Sequence, residues 1–217
     1  MELQNKKILF LGDSITEGVG VSTPDKLYWK RFENDGCEVY GYGISGTRIA
    51  RQVSLRTHPY VDDNYFVTRL PQMEEDADIV IVFGGTNDFG HGDAALGKID
   101  DRTDDTFCGA THNLLSSLQE KYPNATIVVM TPLHRLNESR YYNDLNIRTV
   151  GDLQTYRNIL AEVAHFHKIP VLDLYNLCPI NPELEGHMQQ YIPDGLHPND
   201  DGHEVIYQML RDLLLKL

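Results

Sequence analysis

The chain has 217 residues, 41% of them apolar, and 32 acidic against 19 basic side chains give a formal net charge of −13. That apolar fraction is ordinary for a chain with a buried core and excludes a disordered one. The acidic balance repels phosphate backbones and anionic membranes, and so argues against nucleic acid or anionic lipid as partners.

The first apolar run, Ile8–Leu11, is too short for a signal-peptide core or a membrane span. It predicts a buried strand in a cytoplasmic protein. Pro24–Phe32 reads as a helix capped by Ser22 or Thr23, with Pro24 in its first turn. A weak strand follows around Cys37–Tyr40, and a strong one at Ile79–Phe83. Phe107, Ala110, Leu114, Leu115 and Leu118 then share one helical face. Ile127–Met130 is the fourth strand. A helix carrying Leu153, Tyr156, Ile159, Leu160 and Val163 precedes the fifth, Val171–Leu174. The last helix presents Val205, Ile206, Met209, Leu210, Leu213 and Leu214 at the same spacing.

Four of the five strands are near-continuous apolar runs, the pattern of parallel strands covered on both faces. Strands alternating with helices predict an α/β fold with a five-stranded parallel sheet and helices on both sides. No linker or repeat divides the chain, so one domain over residues 1–217 is expected. Cys37, Cys108 and Cys178 are odd in number, far apart and without metal-ligand spacing. They read as buried free thiols in a reducing compartment.

Sheets of this kind bind ligands at the carboxyl ends of their strands. There the chain places Gly12-Asp13-Ser14-Ile15, Gly41-Tyr42-Gly43-Ile44-Ser45-Gly46, Gly84-Gly85-Thr86-Asn87-Asp88 and Thr131-Pro132-Leu133-His134-Arg135. A later loop reads Asp194-Gly195-Leu196-His197-Pro198. Of three long connections, roughly 47–70, 89–104 and 131–149, at least one is expected to shape a substrate pocket.

Ser14 follows a strand at the start of a short helix, where free N–H groups favour negative charge. Its oxygen suits attack on a carbonyl, although a helix cap is the commoner role there. Asp194 and His197 lie within one turn, so the carboxylate can orient the imidazole for proton transfer from a serine. Asn87 offers an uncharged donor to an oxyanion, and Gly43 allows close backbone approach. Each of these signals alone also fits turn chemistry.

Taken together, Gly12-Asp13-Ser14-Ile15, Gly43 in its Gly-Ile-Ser-Gly run, Gly85-Thr86-Asn87-Asp88 and Asp194-Gly195-Leu196-His197 resemble the four blocks of the SGNH/GDSL hydrolase family, in the family's order and across nearly the whole chain. The resemblance implies a flavodoxin-like three-layer sandwich. It also implies Ser14 as nucleophile, His197 as general base and acid, and Asp194 as its orienting partner. The oxyanion hole would be the Ser14 and Gly43 N–H groups with the Asn87 amide. No cofactor and no metal are expected. One departure is Glu38-Val39-Tyr40-Gly41-Tyr42, where many members carry an Asn shortly before the glycine.

Other readings are weaker. Gly41-Tyr42-Gly43-Ile44-Ser45-Gly46 matches a dinucleotide fingerprint, but Asp62 and Asp63 lack the strand that should precede them. No metalloprotease spacing occurs, and His165 and His167 cannot share a helix face. A non-catalytic carbohydrate-binding protein on the same fold is the alternative from another class. A lysophospholipase, thioesterase or acyltransferase would use the same site. Within the esterase reading, a short acyl group such as acetate on a sugar is favoured. Trp29, Tyr60, Tyr65, Tyr141 and Tyr142 are candidates to stack on sugar rings, and Arg48 and His134 are candidate substrate contacts by position.

Overall fold

A computed structural model describes residues 1–52, 64–142, 144 and 149–217. Five strands form one parallel sheet: β1 (Lys7–Gly12), β2 (Glu38–Gly43), β3 (Ile79–Phe83), β4 (Thr126–Met130) and β5 (Val171–Leu172). Their spatial order is β2-β1-β3-β4-β5. The helices are α1 (Ser14–Glu17), α2 (Thr86–His91), α3 (Phe107–Lys121), α4 (Leu153–Phe166), α5 (Leu174–Leu177), α6 (His187–Gln190) and α7 (Asp200–Leu214). Short 3-10 segments occupy Pro24–Lys26, Lys30–Asp35 and Phe66–Gln72.

Alternation along the strands divides the core in two. Leu9, Leu11, Val80, Val82, Ile127 and Val129 pack with α3, α4 and the Phe66–Gln72 segment. Ile8, Phe10, Ile79, Ile81, Val128 and Met130 pack with Tyr28, Phe32 and α7. This is the three-layer α/β/α sandwich expected from the continuous apolar runs, because β1, β3 and β4 have no solvent-facing side. All three cysteines are buried and free. Among the described residues no helix is long and apolar enough to cross a membrane.

Three boundaries differ from the sequence reading. Pro24–Phe32 is not one helix. Thr23 makes no side-chain capping bond, and Leu27 leaves helical geometry at ψ 135°. Tertiary bonds outweigh local propensity here: the Tyr28 N–H donates to His203 Nδ1 at 3.1 Å, and Trp29 Nε1 donates to the Thr16 carbonyl at 2.9 Å. The fifth strand ends at Leu172, because Asp173 caps α5 by accepting the Asn176 N–H. β2 continues to Gly43, in register with Gly12. It is an edge strand with partly exposed side chains, which accounts for its weak apolar signal.

Candidate active site

β1 delivers the chain to Asp13, whose carboxylate accepts the Ile15 N–H at 3.0 Å and starts α1. The helix is one turn long. Gly18 closes it at φ 108°, and the Gly18 and Val19 N–H groups both donate to the Ser14 carbonyl, at 3.0 and 2.9 Å. Ser14 is therefore fixed at the N-terminus of a small rigid unit, only 6% exposed. Close packing explains two flanking glycines. A Cβ on Gly12 would lie 2.0 Å from Thr16 Oγ1, and one on Gly43 would lie 2.1 Å from the Glu17 backbone nitrogen.

The histidine arrives from the far end of the chain. A turn closed by the Gly195 N–H on the Ile192 carbonyl precedes α7, whose first N–H groups are capped by Asn199. In that turn Asp194 Oδ1 accepts the backbone N–H groups of Leu196 and His197, at 2.8 and 2.7 Å. Its Oδ2 accepts the Nδ1 proton of His197 at 2.7 Å. With Nδ1 committed as donor, Nε2 is the basic nitrogen, and it lies 3.0 Å from Ser14 Oγ. Partial burial pushes the Asp194 carboxyl up, but the donors from His197 and Leu196 outweigh it and hold the group below the usual carboxylate range. The carboxylate beside His197 is thus charged at neutral pH. Three residues singled out in the sequence form a continuous hydrogen-bonded chain across 183 positions.

Asn87 stands at the second position of α2, buried, and its Nδ2 donates to the Thr47 carbonyl at 3.0 Å. This leaves its second amide hydrogen without a described partner. Thr47 closes the turn 44–47, donating from its N–H and its hydroxyl to the Ile44 carbonyl. Within that turn Gly46 has φ 74°, and its N–H makes no hydrogen bond among the described residues. Gly43 is placed differently. It is the last residue of β2, and the Ile44 N–H is the one that turns inward, to the Gly12 carbonyl. Alternate N–H groups of a strand face opposite sides, so the Gly43 N–H faces the free edge of the sheet. The glycine needed at 43 is explained by its contact with α1.

Arg48 is 5% exposed, and its Nη1 approaches the Gly46 carbonyl at 3.3 Å and His91 Nδ1 at 3.2 Å. Its guanidinium is thus engaged with the turn and with α2. His134 lies in a closely packed region with Asp13, Ile15 and Leu196, the neighbours of Ser14 and His197. Its Nδ1 faces the Glu138 carboxylate at 2.9 Å, and its ring packs 4.1 Å from that of Tyr175. Of the aromatic candidates, Trp29 is an anchor beneath Gly41, and the Tyr65 hydroxyl donates to Asp104. Tyr141 and Tyr142 are 81% and 57% exposed. Tyr60 lies outside the described residues, as do Asp62 and Asp63. His167 Nε2 meets His112 Nδ1 at 2.9 Å, and no group of three metal-ligating side chains occurs among the described residues.

Sequence reading missed the charged residues under the site. Asp13 is fully buried, and burial pushes its carboxyl up to about 7, against the Ile15 N–H and the Arg69 charge, which pull it down. Arg69 donates from Nη1 to the Gly12 and Tyr42 carbonyls, each at 2.9 Å, and so ties together the ends of β1 and β2. Asp88 accepts the Ile49 and Ala50 N–H groups at 3.0 and 2.8 Å, fastening the segment after β2 to α2. Burial raises its carboxyl to about 6. The position of Asp13 and Asp88 inside the motifs was the available signal. Nothing local marked Arg69.

A model of the GDSL-like lipase/acylhydrolase family matches residues 10–205. The chain belongs to this family. Solved structures agree with the fold of a GDSL-like acylhydrolase. A protein from Lactobacillus plantarum is 29% identical, with a TM-score of 0.80 and 98% of each chain covered. A lipase/acylhydrolase from Enterococcus faecalis is 21% identical, with a TM-score of 0.64 over 98% of this chain and 97% of that one. An acetyl xylan esterase is 22% identical, with a TM-score of 0.64 over 96% and 99%. No curated protein matches. The family membership makes this GDSL-like chain an esterase or acylhydrolase by class.

Proposed function

We propose that the protein is a serine esterase that removes short acyl groups, acetate above all, from a carbohydrate. The observation that carries the catalytic part is the chain Asp194–His197–Ser14, with contacts of 2.7 and 3.0 Å. In the proposed cycle, His197 Nε2 takes the Ser14 proton as Oγ attacks the ester carbonyl. The carbonyl oxygen becomes an oxyanion held by the Ser14 N–H and the free Asn87 amide hydrogen. The third donor comes from the end of β2. The resemblance implied Gly43, but its edge-facing N–H favours instead the unpaired N–H of Gly46, in the turn that Asn87 grips. Collapse of the intermediate expels the alcohol, which receives the proton from His197, and leaves acyl-Ser14. Water, deprotonated by His197, then releases the acid by the same route.

The substrate class rests on exposed aromatic side chains. Tyr141 and Tyr142 are exposed on a segment docked on α2, where Arg140 Nη2 and the Asp144 N–H both bond the Gly90 carbonyl, at 2.9 and 2.8 Å. Exposed aromatic faces suit stacking on a sugar ring. The likeness to an acetyl xylan esterase is in keeping with this reading. The expected substrate is a small-molecule or oligosaccharide ester, with neither nucleic acid nor membrane as partner.

The test is hydrolysis of p-nitrophenyl acetate and longer-chain esters by the native chain and Ser14→Ala. Activity highest on acetate and lost in the variant supports the reading. Equal rates for both proteins would remove Ser14 as nucleophile. No turnover by either would favour a non-catalytic carbohydrate-binding protein.

A further inference from the structure

Glu17 is the last residue of α1 and is exposed, so the core does not require it. Its carboxylate is nevertheless committed. Oε2 accepts the backbone N–H of Ser45 at 2.7 Å and also the Ser45 hydroxyl. Ser45 is the residue before Gly46. One helical turn thus carries Ser14 at one end and, at the other, a side chain that grips the turn 44–47.

That turn is held at each of its residues. Glu17 takes the Ser45 N–H, Arg48 reaches the Gly46 carbonyl, Asn87 takes the Thr47 carbonyl, and the Thr47 N–H closes on Ile44. The Gly46 N–H is the donor left over. Gly46 lies at φ 74°, a conformation open to alternative peptide orientations, so its N–H direction depends on the neighbouring anchors. Glu17 anchors the peptide immediately before the Ser45–Gly46 unit, because one of its oxygens accepts both the backbone N–H and the hydroxyl of Ser45. The carboxylate also comes from the same rigid turn as Ser14, whose neighbour in space is fixed by the contact of Gly43 with the Glu17 backbone.

We propose that Glu17 is a positioning residue for the reaction: it locks the 44–47 turn to the nucleophile's helix, so that the Gly46 N–H points where the oxyanion forms. The inference rests on the reading of Ser14 as nucleophile. An oxyanion donor accelerates the reaction only if it is aimed before the charge develops. Loosening the turn therefore lowers kcat and leaves ground-state binding alone.

The experiment compares native protein, Glu17→Ala, Glu17→Asp, Glu17→Gln and Ser14→Ala on p-nitrophenyl acetate, with the melting temperature of each. Glu17→Ala is expected to lose about tenfold or more in kcat, less than outright removal of a donor, with KM changed less than about twofold. Glu17→Asp keeps the charge but loses the reach, and should behave like the alanine variant. Glu17→Gln keeps an acceptor of the right length and should recover most of the rate. Because Glu17 is exposed, melting temperatures should stay close to native, and kcat per folded molecule is the quantity compared. Equal impairment of Glu17→Gln and Glu17→Ala would assign the effect to charge and overturn the proposal. So would a rise in KM at unchanged kcat, or native kcat in Glu17→Ala beside an inactive Ser14→Ala. An active Ser14→Ala would instead overturn the underlying nucleophile.

Discussion

Ser14 Oγ and His197 Nε2, 183 positions apart in the chain, stand 3.0 Å from each other. The distance is meaningful because the other ring nitrogen is already committed to Asp194 at 2.7 Å. Replacing that carboxylate with an amide tests the chain at its outer end. The amide oxygen of an asparagine can accept the two backbone N–H groups that Asp194 takes, so the turn should persist. The amide also permits the opposite imidazole tautomer, with a proton on the nitrogen facing Ser14. Asp194→Asn is therefore expected to lose roughly 10²- to 10⁴-fold in kcat at neutral pH, with little change in melting temperature. Steady-state kinetics beside a thermal melt decide the matter, and a variant within about threefold of native would remove Asp194 from the mechanism.

Asn87 has two jobs that one substitution separates poorly and two separate well. Its Nδ2 donates to the Thr47 carbonyl, and the remaining hydrogen is assigned to the oxyanion. Asn87→Ala should cost about 10²–10³-fold in kcat with a small change in KM, the usual loss for one oxyanion donor. Asn87→Asp keeps the shape but replaces donors with a charge, and should be at least as poor. If the aspartate variant kept native activity, the amide would be structural only.

How much of this was legible in the sequence depends on where each partner lies. β1, β3 and β4 were plain because their residues are buried on both faces and need no alternation. Ser14, Asn87, Asp194 and His197 stood out as candidates because their motifs are local, each a strand end or a turn. Pro24–Phe32 was misread because its backbone answers to His203 and Thr16, distant in sequence. Glu17 and Arg69 were passed over for the same reason, since Ser45 and the Gly12 and Tyr42 carbonyls come near them only once β2 lies beside β1. Gly43 stood out in the sequence as a place of close approach, and the body that approaches it is α1.

That last point gives a stability prediction. In Gly43→Ala the added methyl would sit 2.1 Å from the Glu17 nitrogen and 2.5 Å from the Thr16 carbonyl carbon. Both are backbone atoms of α1, so no side chain can swing aside. Overpacking of this kind typically costs about 1–3 kcal/mol. At roughly 2–4 °C per kcal/mol for a chain of this size, the melting temperature should fall by roughly 2–12 °C. Activity should fall too, because the displaced element carries Ser14. A native melting curve would show that α1 can shift as a unit without strain.

Asp13 supplies a pH signature. Its carboxyl is pushed from 3.8 to about 7, chiefly by burial. Between those values the folded protein holds a proton that the unfolded chain has released. Stability from this group is therefore full below about pH 4 and lost as the pH rises through 7. Asp88, raised to about 6, acts in the same direction. His203 opposes both. It is buried and held at about 3, so its contribution is present above pH 6.5 and lost as the pH falls. Absolute stability mixes these terms, but Asp13→Asn isolates one of them. Asparagine resembles the protonated acid and can still accept the Ile15 N–H as a helix cap. The stability of Asp13→Asn relative to native should thus rise steadily from about pH 4 to pH 7, by on the order of 4 kcal/mol for a shift of about three pKa units. Urea unfolding of both proteins at several pH values across that window measures the difference. Parallel curves would mean that Asp13 is ionised in the folded state throughout, with Arg69 as its effective counter-ion rather than a weak one.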